Sequence, residues 1–471
     1  MECRLDEFRT LVEQRTSAAG YQHASGVERN VLVYDSERLR ATTDYEAVRT
    51  ELARALLDGP GIVVLKHAFS EPVVDAATEM FTALIEEERV TGTAHGDHFA
   101  KPGANDRVWS AFDKLAIRAP EAFADYYANH MLALAARAWL GPGYQVTSQV
   151  NVVNPGGAAQ SPHRDYHLGF LSAEQAVAYP AHVHRLSPVL TLQGAVAHCD
   201  MPVESGPTMY LPHSQKYDPG YLAWRLPEFT AYFDSHHVQL PLKKGDAVFF
   251  NPALFHAAGH NRSAHIRRMA NLLQISSAFG RAMETVDREA IANAVFPVLL
   301  RRSREGAPED WLRRVVAACA DGYPFPTNLD SDPPVDGLAP PSQADTMWHA
   351  VSERWHPERL RQELRAGTER RVTRLPCRWL SRSLRLHGAR DHSRLAIAFV
   401  DQFGVGHRVV DADGQGLAAL ESAGVASTRF TWRISPSAPE MTSSRSLKDV
   451  LARTQRRDVP PRACSELTSA L

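Results

Sequence analysis

Residues 144–157, YQVTSQVNVVNPGG, alternate valines with polar side chains and end on an Asn-Pro-Gly-Gly turn signal. Alternation at period two with β-branched residues is the pattern of a strand. The texture recurs in VLTLQGAVAH (189–198), TMYLPHS (208–214), HHVQLPL (236–242), DAVFFNPALFHAAG (246–259) and IRRMANLLQISS (266–277). Short strands separated by turn signals, with no regular helix between them, predict an antiparallel sandwich or barrel.

The flanks read differently. Residues 44–58, DYEAVRTELARALLD, carry apolar positions at helical spacing and stop at Gly59-Pro60-Gly61, a strong breaker. GIVVLKHAF (61–69) reads as a buried strand, and Ser70 as an N-cap for a helix over 71–90. A second helical stretch covers 120–141, and helical periodicity returns over 282–320. Residues 324–345, PFPTNLDSDPPVDGLAPPSQAD, read as a linker rich in proline and aspartate, followed by a helix from Thr346. The expected division is an N-terminal extension (1–45), a strand-rich domain with flanking helices (46–323), the linker (324–345), a smaller C-terminal α+β module (346–435) and a poorly ordered tail (436–471). Arginines outnumber acids over 354–394, which reads as an ion-paired helix face with a partner surface as the competing explanation. RLAIAFVDQFGVGHRVVDADG (394–414) reads as a hairpin.

Composition excludes several function classes. The 471-residue chain is 44% apolar and 23% charged with a formal net charge of −2, so no global field favours nucleic acid or an anionic membrane. No apolar run reaches the length of a membrane span, and MECRLDEFRTLVEQR lacks the apolar core of a secretory signal. The five cysteines are scattered singly, which argues for a reducing compartment and against a disulfide framework or a CxxC zinc site. The expected location is cytoplasmic.

Chemistry concentrates in QSPHRDYHLGF (160–170). If this segment is extended, His163 and Asp165 share a face and present an imidazole nitrogen and a carboxylate oxygen to one point. A third ligand must come from elsewhere; His256 follows an aromatic strand, whereas His260 sits in the turn-like GHNRS, so His256 is preferred. Two histidines and a carboxylate form the facial triad of non-haem iron(II) oxygenases. A zinc hydrolase can use the same donors, but no HExxH helix is present. Arg267 lies eleven positions beyond His256. A 2-oxoglutarate cosubstrate chelating iron through its keto-acid end would leave a second carboxylate for such a bidentate fork. On a strand, Arg267, Met269 and Asn271 share the face taken as interior, and Arg268 the opposite one.

SPHRDYHLGF, ESGPTMYLPHSQK (204–216), KKGDAVFFNPALFHAAGHNRS (243–263) and IRRMA (266–270) resemble, in order, the landmarks of the phytanoyl-CoA dioxygenase family. GIVVLKHAFSEPVVDAATEMF (61–81) resembles its opening strand and helix, so the likeness covers roughly residues 46–280. It implies a mainly β protein with flanking helices built on a double-stranded β-helix (jelly-roll) core. It also implies Fe(II), 2-oxoglutarate as cosubstrate, dioxygen, and hydroxylation of a C–H on a small-molecule or carrier-bound metabolite. Related halogenases carry a small residue where Asp165 stands, which favours hydroxylation here. The chain departs from the family at Ala258, often serine, and at Ala195, often aromatic.

Gln160, Asn151 and Gln193 are candidate cosubstrate contacts, and Tyr166, His167 and Phe170 candidate pocket walls. His198 and Cys199 read as structural, and His213 as a loop residue at a position usually glycine in the family. The long stretch 171–187 reads as a substrate lid. The competing functions are a non-catalytic jelly-roll binding or scaffold protein, and a protein-modifying oxygenase recruited through the C-terminal module.

Overall fold

This computed structural model describes residues 2–91, 104–334 and 337–372. Two sheets carry the architecture. The strands are β1 (Gly26–Glu28), β2 (Val31–Asp35), β3 (Ile62–Lys66), β4 (Asn105–Val108), β5 (Gln145–Val153) and β6 (Thr191–Ala197). They continue as β7 (Met209–Leu211), β8 (Val238–Gln239), β9 (Ala247–Phe250), β10 (Phe255–Ala257) and β11 (Arg268–Ser276). The larger sheet runs β1-β2-β3-β9-β6-β11-β5-β4 and the smaller β10-β7-β8. All pairings are antiparallel except β2 with β3. One apolar cluster draws Ile62, Val64, Val248 and Phe250 from the large sheet and Tyr210 from the small one, so the sheets share a core.

Every strand predicted from period-two texture is present, but the chain is mixed α/β, because helices cover one whole face of the large sheet. The alternation in β5 shows why. Val146, Val150 and Val152 belong to the cluster packed under the helices, and Ser148 Oγ meets the Tyr127 hydroxyl at 2.7 Å on that side. Asn151, of opposite parity, faces the cavity between the sheets. These valines therefore bury against helices, and Asn151 lines the site.

Local chemistry sets the helix ends. Pro72 falls in the first turn of the helix Glu71–Val90, and Ser70 is its N-cap residue without a side-chain capping bond. The single helix expected over 120–141 is two, Pro120–Tyr127 and His130–Leu140. Asn129 divides them, its Oδ1 accepting from the amides of Met131 and Leu132 at 2.9 and 3.0 Å, a Ser/Asn-type N-cap.

The expected boundaries move at both ends. The segment taken as an N-terminal extension supplies β1 and β2, and its helix Leu5–Val12 buries Phe8 against Tyr217, Phe229 and Phe255. At the other end, helices Gln343–Ser352 and Pro357–Arg371 pack on Arg288–Arg304. They belong to the same compact unit as the sheets, Met1–Arg374. The proline-rich stretch between is tied down by polar contacts: Arg370 Nε to Asp332 at 3.0 Å, Ser331 Oγ to the Arg370 carbonyl at 2.6 Å, and a Ser342/Asp345 capping box. A composition-based reading looks for apolar core and overlooks attachment of this kind. The hairpin at 394–414, the tail, and the arginines beyond 372 lie outside the described residues. Among the described residues no helix is long and apolar enough to cross a membrane.

His198, at the end of β6, is buried beneath the helices. Its Nε2 meets the Tyr126 hydroxyl at 2.9 Å and its Nδ1 the Thr78 hydroxyl at 2.7 Å. Burial pushes the imidazole down to about 3. The folded chain therefore stays unprotonated there as pH falls through the unfolded value near 6.5, while the unfolded chain takes up the proton. Stability from this residue is complete above about 6.5 and declines below it, by roughly 1.4 kcal/mol per pH unit. His198→Gln should accordingly lose about 2 kcal/mol less than wild type between pH 7.5 and 5, read from urea midpoints. Equal losses in the two proteins would remove His198 as the source.

Candidate metal and cosubstrate site

His163 and His256 face each other across a single antiparallel bridge. The amide of His163 donates to the His256 carbonyl at 3.0 Å, and that of His256 to the His163 carbonyl at 3.2 Å. The Asp165 amide donates to the Pro252 carbonyl at 3.1 Å, which keeps 163–165 extended and turns His163 and Asp165 the same way. Each histidine then has its tautomer set by the carbonyl two residues before it. Nδ1 of His163 lies 3.0 Å from the Ser161 carbonyl, and Nδ1 of His256 lies 2.9 Å from that of Leu254. A carbonyl only accepts, so each Nδ1 carries the proton and each Nε2 keeps a lone pair.

Those lone pairs converge on the carboxylate. Nε2 of His163 is 3.6 Å from one Asp165 oxygen and Nε2 of His256 is 3.4 Å from the other. One donor atom from each of the three residues falls within 4.8 Å of the others. Burial alone would raise the Asp165 carboxyl, but the neighbouring imidazoles of His163 and His256 and the Gln193 amide together hold it well below the usual carboxylate range. Gln193 Nε2 donates directly to Asp165 Oδ2. Gln193 therefore touches a candidate ligand.

Arg164, between the two ligands, points the other way as expected. Its Nη2 donates to the carbonyls of Ser214 and Tyr217 at 2.6 and 2.9 Å. Its guanidinium lies over the rings of Tyr221 and Phe255. Room for it depends on Gly220, where a Cβ would sit 1.9 Å from Arg164 Cζ. Burial lowers this arginine to about 10, so it remains a cation at neutral pH. It clamps the ligand segment from behind.

The triad opens on a cavity of about 180 Å3 between the sheets. Its wall on β11 corrects the expectation for Arg267. Arg268 begins β11, paired with Val153, and the cavity-side parity is Arg268, Ala270, Leu272 and Gln274. The face taken as interior lies under the helices instead: Met269 joins the apolar cluster there, and Asn271 Nδ2 donates to the hydroxyls of Tyr126 and Tyr127 at 3.3 Å each. Arg267 is half exposed, with Nε on Asn154 Oδ1 at 3.2 Å and Nη2 on Asp106 Oδ2 at 3.1 Å. Both faces of β11 are buried, so alternation in the sequence could not say which one meets the site. Arg268 is 6% exposed, donates through Nη1 to the Gly206 carbonyl, and is lowered by burial to about 10. It is a buried cation of this cavity, whose wall also carries the half-buried Arg107.

The remaining expected residues separate. Gln160 lines the cavity, its Oε1 accepting from the Ala258 amide at 3.3 Å. Asn151 lines it too, and its buried Oδ1 has no hydrogen-bond partner among the described residues. Phe170 stands at the mouth, 55% exposed. Tyr166 and His167 are not on the wall. Tyr166 is buried behind it at a φ of 64°, and His167, at 42°, turns its Nδ1 to within 3.4 Å of Ser187 Oγ. Positive φ at both residues ends the extended run that carries His163 and Asp165 just before them. His260 is exposed and outside the cluster. His213 adopts a φ of 69°, the conformation glycine takes most easily, and is buried against Thr16 and Lys216. The presumed lid folds as two short helices, Ala173–Val177 and Ala181–Val189. Sequence reasoning missed Arg107, Trp109, Gln274 and Met283, all on the cavity wall. Only the parity of β11 relative to β5 could have pointed to Gln274.

Residues 57–269 match the family model described as phytanoyl-CoA dioxygenase. A dioxygenase named trt7 from Aspergillus terreus (strain NIH 2624 / FGSC A1156) is 27% identical over 241 residues, spanning 50% of this chain and 76% of that protein. Among solved structures, the non-heme α-ketoglutarate-dependent carbocyclase SnoK of nogalamycin biosynthesis aligns with 22% identity and a TM-score of 0.38, covering 52% of this chain and 89% of its own. The epimerase SnoN, solved with Fe3+, α-ketoglutarate and nogalamycin RO, aligns with 20% identity and a TM-score of 0.34, covering 51% and 87%.

Proposed function

Because residues 57–269 belong to the phytanoyl-CoA dioxygenase family, we propose that this Fe(II)- and 2-oxoglutarate-dependent oxygenase hydroxylates an unactivated C–H of a small-molecule or carrier-bound metabolite. In the same reading, the two sheets are the double-stranded β-helix core of the family. The observation that carries the proposal is the convergence of His163, Asp165 and His256 on one point of a cavity whose wall also holds a buried arginine.

The donor set suits the metal. Two imidazole nitrogens and one carboxylate are the facial ligands of non-haem Fe(II), leaving the remaining positions for cosubstrate and dioxygen. The cavity suits the cosubstrate. Arg268 offers a fork for its distal carboxylate, small residues (Ala270, Ala197, Ala195, Ala258) leave room along the wall, and the orphaned Asn151 Oδ1 marks a polar surface awaiting a partner. Iron with 2-oxoglutarate supplies the oxidant from dioxygen, the overall balance being R–H, O2 and 2-oxoglutarate to R–OH, succinate and CO2.

The chain's own residues do the rest. The Ser161 and Leu254 carbonyls hold both histidines with Nε2 inward, Gln193 orients the carboxylate, and Arg164 fixes the backbone that carries two of the three ligands. Phe170 and the apolar wall exclude water from the metal face.

The purified chain with Fe(II), ascorbate and 2-oxoglutarate should release succinate, and His163→Ala should reduce release below about 1% of wild type, the fate expected when a group acting directly on the chemistry is removed. No succinate from the wild type, or full release from the variant, would end the oxygenase reading.

A further inference from the structure

Gln274 is a buried primary amide on the cavity wall for which neither the metal nor the cosubstrate accounts. It is 7% exposed, its Oε1 is buried without a partner, and among the described residues neither atom of its amide makes a hydrogen bond. Leaving such a group unsatisfied costs roughly 1–3 kcal/mol, and native structures retain few of them without a reason. Its cross-strand neighbour Gln193 gives its amide to Asp165, and Gln193 Oε1 has no partner among the described residues, so the two amides do not satisfy each other.

Register places Gln274 relative to everything else in the cavity. On the cavity face of β11 it lies six residues from Arg268, at the opposite end of the strand. Its partner in the ladder, Gln193, reaches the carboxylate of the triad. Directly opposed residues on antiparallel strands stand about 5 Å apart, so a group bound by Gln274 lies beside the metal, on the side away from Arg268. Beyond the strand end, Met283 enters the wall, and Trp109 and Phe170 complete an aromatic rim. The one carboxylate among the described wall residues is Asp165, already committed to the triad.

We propose that Gln274 is the substrate-recognition residue of this site, hydrogen-bonding a hydroxyl or carbonyl oxygen of a largely apolar, ring-sized metabolite held against Trp109, Phe170 and Met283. The C–H to be oxidised then lies close to that oxygen substituent. This inference rests on the oxygenase reading and adds the class of substrate to it. An amide both donates and accepts, so it reads oxygen substituents of either kind and rejects the hydrocarbon that lacks them.

The test uses the full chain loaded with Mn(II) and 2-oxoglutarate and titrated calorimetrically with tetralin, 1-tetralol and 1-tetralone. Wild type should bind both oxygenated probes about five- to tenfold more tightly than tetralin, the worth of one buried hydrogen bond. Gln274→Leu should bring that ratio to about one, with tetralin, Mn(II) and 2-oxoglutarate affinities changed less than about twofold. Its melting temperature should rise by roughly 2–4 °C as the orphaned amide disappears; a purely structural glutamine would lower it. Gln274→Glu, which keeps the acceptor and loses the donor, should lose the ketone preference and keep that for the alcohol. Three outcomes overturn the assignment: a wild type indifferent to the oxygen, a Leu variant that still discriminates, or a Leu variant whose 2-oxoglutarate affinity collapses. Failure of wild type to bind Mn(II) and 2-oxoglutarate would instead overturn the oxygenase reading, so the two failures are distinguishable.

Discussion

Asp165→Ala should weaken divalent-metal binding by at least about 100-fold and take succinate formation below detection, while the metal-free protein keeps its fold. Removing a contact that merely orients a ligand already costs about 10–100-fold in metal affinity, and in the proposed site Asp165 is itself a donor. The carboxylate is also the one anionic donor of the set; without it two neutral imidazoles remain to balance a dication, with their ring centres 4.5 Å apart. The backbone around it does not depend on the side chain. His163 and His256 are held by their own bridge, and Arg164 anchors the segment from the opposite face. Thermal melts separate the two effects. At a metal concentration 100 times its dissociation constant, the wild type should gain about 2.7 kcal/mol, and the variant nothing at the same concentration. A variant that still gains stability from Fe(II) or Mn(II) would show that Asp165 is not a ligand.

How far the sequence could be read follows from what kind of constraint each residue obeys. His163 and Asp165 were legible because an HxD pair on extended chain needs only period two to share a face, and that geometry is kept by a local bridge. His256 was legible because small and aromatic neighbours marked the strand that carries it. The strands of the sheets were legible for the same reason. Arg268 was not, because β11 is covered on both faces, and a residue-count from His256 slips by one when the intervening loop is irregular. A slip of one on a strand exchanges the faces entirely. Tyr166 and His167 were taken as pocket walls because they adjoin the HxD pair; positive φ at both turns the chain directly after Asp165, and residue type alone does not announce that turn. The helices after residue 343 were legible as helices, but their attachment to the main body was not. It runs through apolar side chains, Met347, Ala350, Val351, Leu360 and Leu364, that join the main core cluster, and the spacing of an apolar face does not say which body it packs on.

Arg268→Ala should raise the KM for 2-oxoglutarate by roughly 30- to 4,000-fold, and Arg267→Ala should change it by less than about fivefold. Truncating one partner of a buried charge-assisted pair costs about 2–5 kcal/mol or more, and each 1.4 kcal/mol is a factor of ten. Arg268 meets the requirements for such a pair: it is buried, charged at neutral pH, on the cavity wall and held in place by the Gly206 carbonyl. Arg267, half exposed on Asp106 and Asn154, is a surface ion pair, and such pairs are worth about 0–1 kcal/mol. Arg268→Lys separates charge from shape, because lysine keeps the cation but cannot present two parallel N–H groups to a carboxylate; its KM should fall between wild type and alanine. Stability supplies the control. Arg267→Ala leaves Asp106 with Arg89 at 2.7 Å, so neither the fold nor the cavity should respond. Should Arg267→Ala instead produce the large KM effect and Arg268→Ala the small one, the register of β11 described above would be wrong at the site, and the cosubstrate would enter from the opposite face of the strand.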